Sequence, residues 1–151
     1  MSYVYTLRRK QWVPHPIQEV FTFFSDARNL EALTPSWLRF QILTPGSIAI
    51  ASGTKIDYRL RWHALSLRWT TEIVQWDPPY SFEDIQLSGP YRSWHHIHGF
   101  EEITGGTRLT DIVHYSMPFG LLGRLAHALN VRRNVEQIFD YRGEKIRTLF
   151  A

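Results

Sequence analysis

TRLTDIVHYSMPFGLLGRLAHALNVRRNVEQIFDYRGEKIRTL, Thr107–Leu149, changes its hydrophobic period at Pro118. Up to Met117 the chain reads as a strand, with Asp111, Val113 and Tyr115 on one face and Ile112 and His114 on the other. Beyond Pro118, the positions Leu121, Leu125, Ala128, Arg132, Val135, Phe139, Arg142, Ile146 and Leu149 step by four or three. That spacing predicts one helix with a single stripe, and about 30 residues at 1.5 Å each make it roughly 45 Å long.

Upstream of this stretch the sequence is strand after strand. Ser93–Ile103 and Thr107–Met117 flank Thr104-Gly105-Gly106, a tight hairpin signal. Tyr80–Leu87 is closed by Gly89-Pro90, and Ser66–Trp76 by Asp77-Pro78-Pro79. Gly53–His63 alternates throughout, with Ile56, Tyr58, Leu60 and Trp62 against Lys55, Asp57, Arg59 and Arg61. Leu38–Leu43 is a short strand ended by Pro45-Gly46. At the start, Tyr3–Val13 is a strand stopped by Pro14 and Pro16. Pro16 opens a helix whose Ile17, Val20, Phe21 and Phe24 share a face. Asp26 is placed as the N-cap of a second short helix through Leu30 and Leu33, which Thr34-Pro35 ends.

The predicted order is therefore strand, two short helices, six strands, one long helix, and the fold class is α+β. Strands joined by short turns pair antiparallel. A curved seven-stranded sheet must cover its apolar face, and only the C-terminal helix is long enough. A strongly bent sheet does not meet a straight helix along its whole length, so a cavity is expected between them.

Composition narrows the function classes. The chain has 151 residues, 44% hydrophobic and 21% charged, which suits a single domain over 1–151. It has no cysteine, which excludes disulfides, thiolate catalysis and cysteine-ligated zinc. The net charge of +3 is scattered along alternating strands and a helix, so no nucleic-acid partner is expected. No apolar run approaches the roughly 20 residues of a membrane span. Met1-Ser2-Tyr3-Val4-Tyr5 runs straight into strand-like sequence without a basic segment and apolar stretch, so no signal peptide and a cytoplasmic location are expected.

Several segments resemble one family. Asn29-Leu30 and Leu33-Thr34-Pro35-Ser36-Trp37-Leu38-Arg39-Phe40 carry the resemblance, with Gly89-Pro90-Tyr91-Arg92-Ser93-Trp94 and His96-Ile97-His98-Gly99-Phe100-Glu101. Gly106-Thr107-Arg108, Asp111, Tyr115, Pro118 and Phe139-Asp140-Tyr141-Arg142 extend it across the chain. The sequence is similar to the SRPBCC (START/Bet v 1-like) superfamily, and within it to bacterial polyketide cyclase/dehydrase-type ligand-binding proteins. The resemblance implies a helix-grip fold holding a small hydrophobic ligand. It leaves function open, because one fold carries carriers, receptors and cyclases alike.

Strand parity selects the candidate site. If Trp94 and Phe100 point inward, so do His96 and His98, and on the next strand Asp111 and Tyr115. Tyr58, Trp62 and Trp69 add aromatic wall, and Leu125, Arg132 and Phe139 are the helix candidates. Three readings stay open. The polar groups satisfy one another; or they fix the polar end of a lipid, polyketide-like or other aromatic or isoprenoid ligand; or His96, His98, Asp111 and Tyr115 do acid–base chemistry as a cyclase, dehydrase or isomerase. His96 and His98 alone are too few for a metal site. No cofactor is expected, and the protein is expected to be a monomer or weak homodimer with no integral membrane association. Arg142 also interrupts the stripe, and its stem is expected to pack while its head reaches solvent or a carboxylate.

Overall fold

In a computed structural model of the chain, which describes residues 3–151, seven strands form one antiparallel sheet in the order β1-β7-β6-β5-β4-β3-β2. Met1 and Ser2, on which the leader expectation partly rests and with which the 1–151 domain begins, lie outside the described residues. The strands are β1 (Val4–Val13), β2 (Gln41–Ile42), β3 (Lys55–Trp62), β4 (Leu65–Asp77), β5 (Ser81–Ser88), β6 (Ser93–Ile103) and β7 (Gly106–Ser116). Helices α1 (Ile17–Phe24) and α2 (Asn29–Leu33) follow β1, and a helical segment from Gly120 to Leu149 ends the chain. This is the helix-grip architecture that the order of elements predicts.

Short turns make sequence neighbours pair, and β1 completes the sheet by lying against the last strand, from Val4↔Ser116 to Val13↔Thr107. Between β4 and β5 the register slips at Thr70/Thr71 and again between Ile73 and Gln75. Such bulges add a residue on one side of a ladder and curve it. The hollow so formed is closed at one end by α1, whose Val20, Phe21 and Phe24 pack with Phe82, Phe100 and Ile146.

Three local expectations are corrected. The strand expected over Leu38–Leu43 shrinks to Gln41–Ile42, because Ser36–Leu38 coils into a 3₁₀ turn after Pro35 and Arg39 is left-handed with φ 47°. Asp26 does not cap α2. Its Oδ1 accepts from the Arg28 backbone N–H at 2.9 Å, a turn just ahead of a helix whose cap residue is Arg28.

The long helix is the third. It divides into α3 (Gly120–Ala126), a π-helical turn (His127–Val131) and α4 (Arg132–Leu149). One extra residue in a turn rotates the following face by roughly 100°. Hence only the second half of the expected stripe is buried, at Val135, Phe139, Arg142 and Ile146. Leu121, Leu125, Ala128 and Arg132 face out, and in α3 only Gly123 is buried.

Gly106 sits where β7 starts under the end of β1, and a Cβ there would overlap the Val13 carbonyl oxygen. Backbone on both sides cannot yield, so Gly106→Ala is expected to cost about 2 kcal/mol or more in urea unfolding. Gly99→Ala, whose Cβ would make only ordinary contact with Thr110, is the matched control and should change stability by under about 1 kcal/mol. Equal stability of the two variants would refute this account of the β1–β7 closure.

Candidate functional site

Pairing across three strands assembles the polar part of the hollow. On β6 the side chains of His96 and His98 point inward beside Trp94 and Phe100, as their shared parity requires. His98 lies opposite Asp111 of β7, and His96 opposite Asp84 of β5. Two carboxylates thus flank two imidazoles on one face. The rings stack at 3.6 Å between centroids. His96 Nε2 is 2.7 Å from Asp111 Oδ1, and His98 Nε2 is 2.7 Å from Asp84 Oδ2. From α4, Arg142 reaches Asp111 Oδ1 at 3.5 Å and spans the Phe24 ring at 5.3 Å.

Burial alone would raise both carboxyls. For Asp84, burial is outweighed by the His98 hydrogen bond and the charges of His98, His96 and Arg142, which together hold it below the usual carboxylate range. For Asp111, burial is outweighed by the Arg142 guanidinium, then by His96 and His98. Both are therefore ionised and accept only, so each imidazole donates its Nε2–H to its carboxylate. Burial, reinforced by the charge of His96, lowers His98 to about 4 against the partial opposition of Asp84 and Asp111.

Beside this cluster lies a cavity of about 450 Å³ between the sheet and the C-terminal helix. Its walls are mostly apolar. Tyr58, Leu60, Trp62, Trp69, Tyr91 and Trp94 come from the sheet side, Leu30 and Leu33 from α2, and Val135, Ile138 and Phe139 from α4. Asp84, His96, His98 and Arg142 supply the charged lining. The aromatic wall is built edge to face, with Trp69 5.2 Å from Trp94 and 5.5 Å from Tyr91. Tyr91 is held by Gln86, which donates Nε2–H to its carbonyl at 2.7 Å and accepts from its N–H at 3.1 Å. Burial, with Asp84 adding to it, raises the Tyr58 phenol and keeps it a donor.

Two buried donors lack a partner among the described residues, Trp69 Nε1 and Arg142 Nε. Both belong to residues that line the cavity. A buried N–H without an acceptor is costly, and each such group asks for an explanation.

Of the residues expected at the site, Tyr58, Trp62, Trp69, Trp94, His96, His98 and Phe139 line the cavity. The others lie elsewhere. Phe100 is packed against Phe21 and Phe24 in the core under α1. Asp111 sits behind His96, against Arg142, and reaches the hollow only through them. Tyr115 keeps its ring near Trp94, but its hydroxyl, pushed up to about 12 mainly by burial, donates to His127 Nε2 at 2.7 Å. That bond, with the Tyr5 ring stacked on His127 at 3.4 Å, anchors the π-helical turn. Leu125 and Arg132 face outward, and Arg132 pairs with Glu136 at 3.4 Å.

Asp84, Tyr91 and Arg142 are among the lining residues that the expected set lacks. Asp84 shares parity with Phe82 on β5, and that alternation was the available signal. Arg142 was expected to end in solvent or on a carboxylate, and it ends on Asp111. Asp84, His96 and His98 also bring three donor atoms within 4.8 Å of one another, the number of protein ligands an open zinc site uses. In this geometry the histidine Nε2 atoms are committed to Asp84 and Asp111, and Arg142 already supplies the cation.

Residues 13–139 match the sequence profile of the family described as polyketide cyclase / dehydrase and lipid transport. No curated protein sequence matches the chain. Solved structures of the same fold include protein CV1439 from Chromobacterium violaceum, at TM-score 0.74 and 13% identity, covering 97% of this chain and 97% of that one. TTHA0849 from Thermus thermophilus matches at TM-score 0.67 and 18% identity, covering 97% and 100%. Ginseng major latex-like protein 151 from Panax ginseng matches at TM-score 0.70 and 10% identity, covering 97% and 97%. At these identities the likeness is one of fold. Among the described residues no helix is long and apolar enough to cross a membrane.

The cluster sets a pH dependence. A histidine that titrates near 4 when folded and near 6.5 when unfolded lets the unfolded chain bind more protons between those values, so stability falls as pH drops through that window. The loss attributable to His98 is on the order of 3 kcal/mol, complete by about pH 4. Below that, protonation of Asp84 and Asp111 continues the decline. Urea unfolding at pH 7, 5.5 and 4, with the His98 ring followed by NMR, checks this. A His98 midpoint near 6.5 with flat stability over the window would refute it.

Proposed function

The chain belongs to the polyketide cyclase / dehydrase and lipid transport family, and we propose that it binds a small, largely hydrophobic ligand carrying hydrogen-bond acceptor oxygen in the cavity beneath α4. The observation that carries this reading is the pair of orphan donors. Trp69 Nε1 and Arg142 Nε are buried and unpartnered among the described residues, and both belong to residues of a wall that is mostly apolar and aromatic, with Asp84, His96 and His98 as its other charged members. An acceptor on a ligand that displaces the side chains screening these donors satisfies what the protein leaves open, while the rings cover its body. A volume of about 450 Å³ suits a single such molecule. The ligand class is lipid, polyketide-like, or another aromatic or isoprenoid molecule, bound by one domain acting as a monomer or weak homodimer.

A second reading rests on one separate observation. His96 is oriented by Asp111 at 2.7 Å, which leaves Nδ1 as its other ring nitrogen beside a cavity where Tyr58 stays protonated. A carboxylate-oriented imidazole and a phenol donor are the parts needed to remove a proton next to a carbonyl and to hold the enolate oxygen. This cyclase, dehydrase or isomerase reading uses Tyr58 as the donor, because the Tyr115 hydroxyl is spent on His127. Turnover abolished in His96→Gln with ligand affinity retained would favour it.

Binding is tested with cis-parinaric acid, a fluorescent fatty acid excited by transfer from the cavity tryptophans. Saturable one-to-one binding is expected. Ile138→Trp fills the cavity and should weaken binding at least tenfold while the circular dichroism melt persists. Trp69→Phe keeps most of the wall and removes the orphan donor, for a loss of about fivefold, the worth of one hydrogen bond. Undiminished binding by Ile138→Trp would overturn the cavity as the site.

A further inference from the structure

Helix α3, which with Phe119 lends Leu122, Gly123 and Ala126 to the cavity lining, is apolar on its outer side. Phe119, Leu121, Leu122 and Leu129 are 81%, 80%, 74% and 75% exposed, and Leu125 also faces solvent. Isolated exposed leucines need no explanation, but a contiguous set on one short segment does. The segment is held in this pose by backbone. Phe119 and Gly120 are both left-handed, at φ 66° and 52°, and Gly123 lies so close to the Pro118 carbonyl that a Cβ there would overlap it. With Gly123 pressed inward, the leucines have no core to enter.

The unpaired charge around this patch is positive, since Asp140, in the groove beside Leu129, pairs with Arg9, and Glu136 pairs with Arg132. From Ile112 to Val135 the sequence has three arginines, Arg124, Arg132 and Arg133, and no aspartate or glutamate. The β3–β4 hairpin stands beside it, since Arg61, Trp62 and His63 share a groove with Leu129 and Arg133. From Tyr58 to Thr71 there is again no acidic residue. Glu136 pairs with Arg132, which leaves Arg61, Arg124 and Arg133 without a carboxylate partner among the described residues. Exposed bulky apolar chains flanked by arginines match an interface of acyl chains beneath anionic headgroups.

We propose that α3, the π-helical turn and the tip of the β3–β4 hairpin form a docking face for an anionic lipid surface. The leucines enter the acyl boundary and the arginines meet the headgroups. Phe119 and Leu122 belong both to this face and to the cavity lining, so docking brings the rim of the cavity against the bilayer. The proposal stands on the outer face of α3 and does not depend on what the cavity holds.

The test is co-sedimentation of the full chain with large unilamellar vesicles of phosphatidylcholine alone, or with about 30% phosphatidylglycerol. Binding to the anionic vesicles is expected to be at least tenfold stronger than to the neutral ones, and to fall at least fivefold between about 0.05 and 0.5 M NaCl as screening sets in. Leu121→Ser with Leu129→Ser should lose at least tenfold. Arg124→Glu with Arg133→Glu should remove the salt dependence. All four residues are exposed, so the melting temperature should hold, and cis-parinaric acid affinity should hold too. Absence of binding to anionic vesicles would overturn the proposal. So would a dimer at micromolar concentration that the leucine changes dissociate, since the face would then belong to a second copy of the chain.

Discussion

Asp111 Oδ1 lies between His96 Nε2 at 2.7 Å and Arg142 Nη2 at 3.5 Å, at the point where α4 crosses the sheet. This contact fixes the register of the helix on the sheet, and much else follows from it. Toward α1 the helix buries Ile146 among phenylalanines; toward the π-helical turn it lifts away and the cavity opens. A buried ion pair is weak evidence for stability, because desolvation offsets its attraction. What it supplies here is position. Among the described residues Arg142 has one carboxylate within salt-bridge distance, Asp111, and a shift of one helical step would leave its buried charge without that partner.

The same cluster divides the interior by polarity. Phe82 stacks on His98 at 4.0 Å and closes the charged group off from the aromatic core. On the other side the charges border a hollow whose remaining walls are mostly aromatic and aliphatic. A site of this kind recognises a molecule by one polar feature and excludes water with the rest. Two of its residues, Trp69 and Arg142, carry a buried donor without a partner among the described residues, and its carboxylates are already neutralised by their neighbours. Negative charge on a ligand therefore meets Arg142 only in competition with Asp111.

Most of the fold was legible because periodicity is a local property. The alternation of Ile56, Tyr58, Leu60 and Trp62 placed β3 within two residues of its observed ends, and the turn at Thr104-Gly105 placed β6 and β7. Parity also brought His96 and His98 to the inner face. Legibility failed where an answer depended on a neighbouring element. Asp84 joins the histidines only through the pairing of β5 with β6. Tyr115 has the right parity, yet its hydroxyl turns to His127, which no strand pattern reveals. Leu125 and Arg132 follow the helical stripe perfectly in sequence, but the π-helical turn rotates that stripe away from the cavity.

The sequence by itself determined the class and order of the elements, the facing of each strand, and the presence of two inward histidines among aromatic residues. These depend on which residues recur at spacings of two or of three and four, and that is written along the chain. The tertiary structure alone decided which carboxylate meets which imidazole, that Arg142 ends on Asp111, which donors are left without partners, and which half of the long helix is buried. Those outcomes rest on the register between strands and on a single inserted residue in a helix. Register and insertion are settled by the sum of packing over the whole molecule, and no local stretch of sequence encodes that sum.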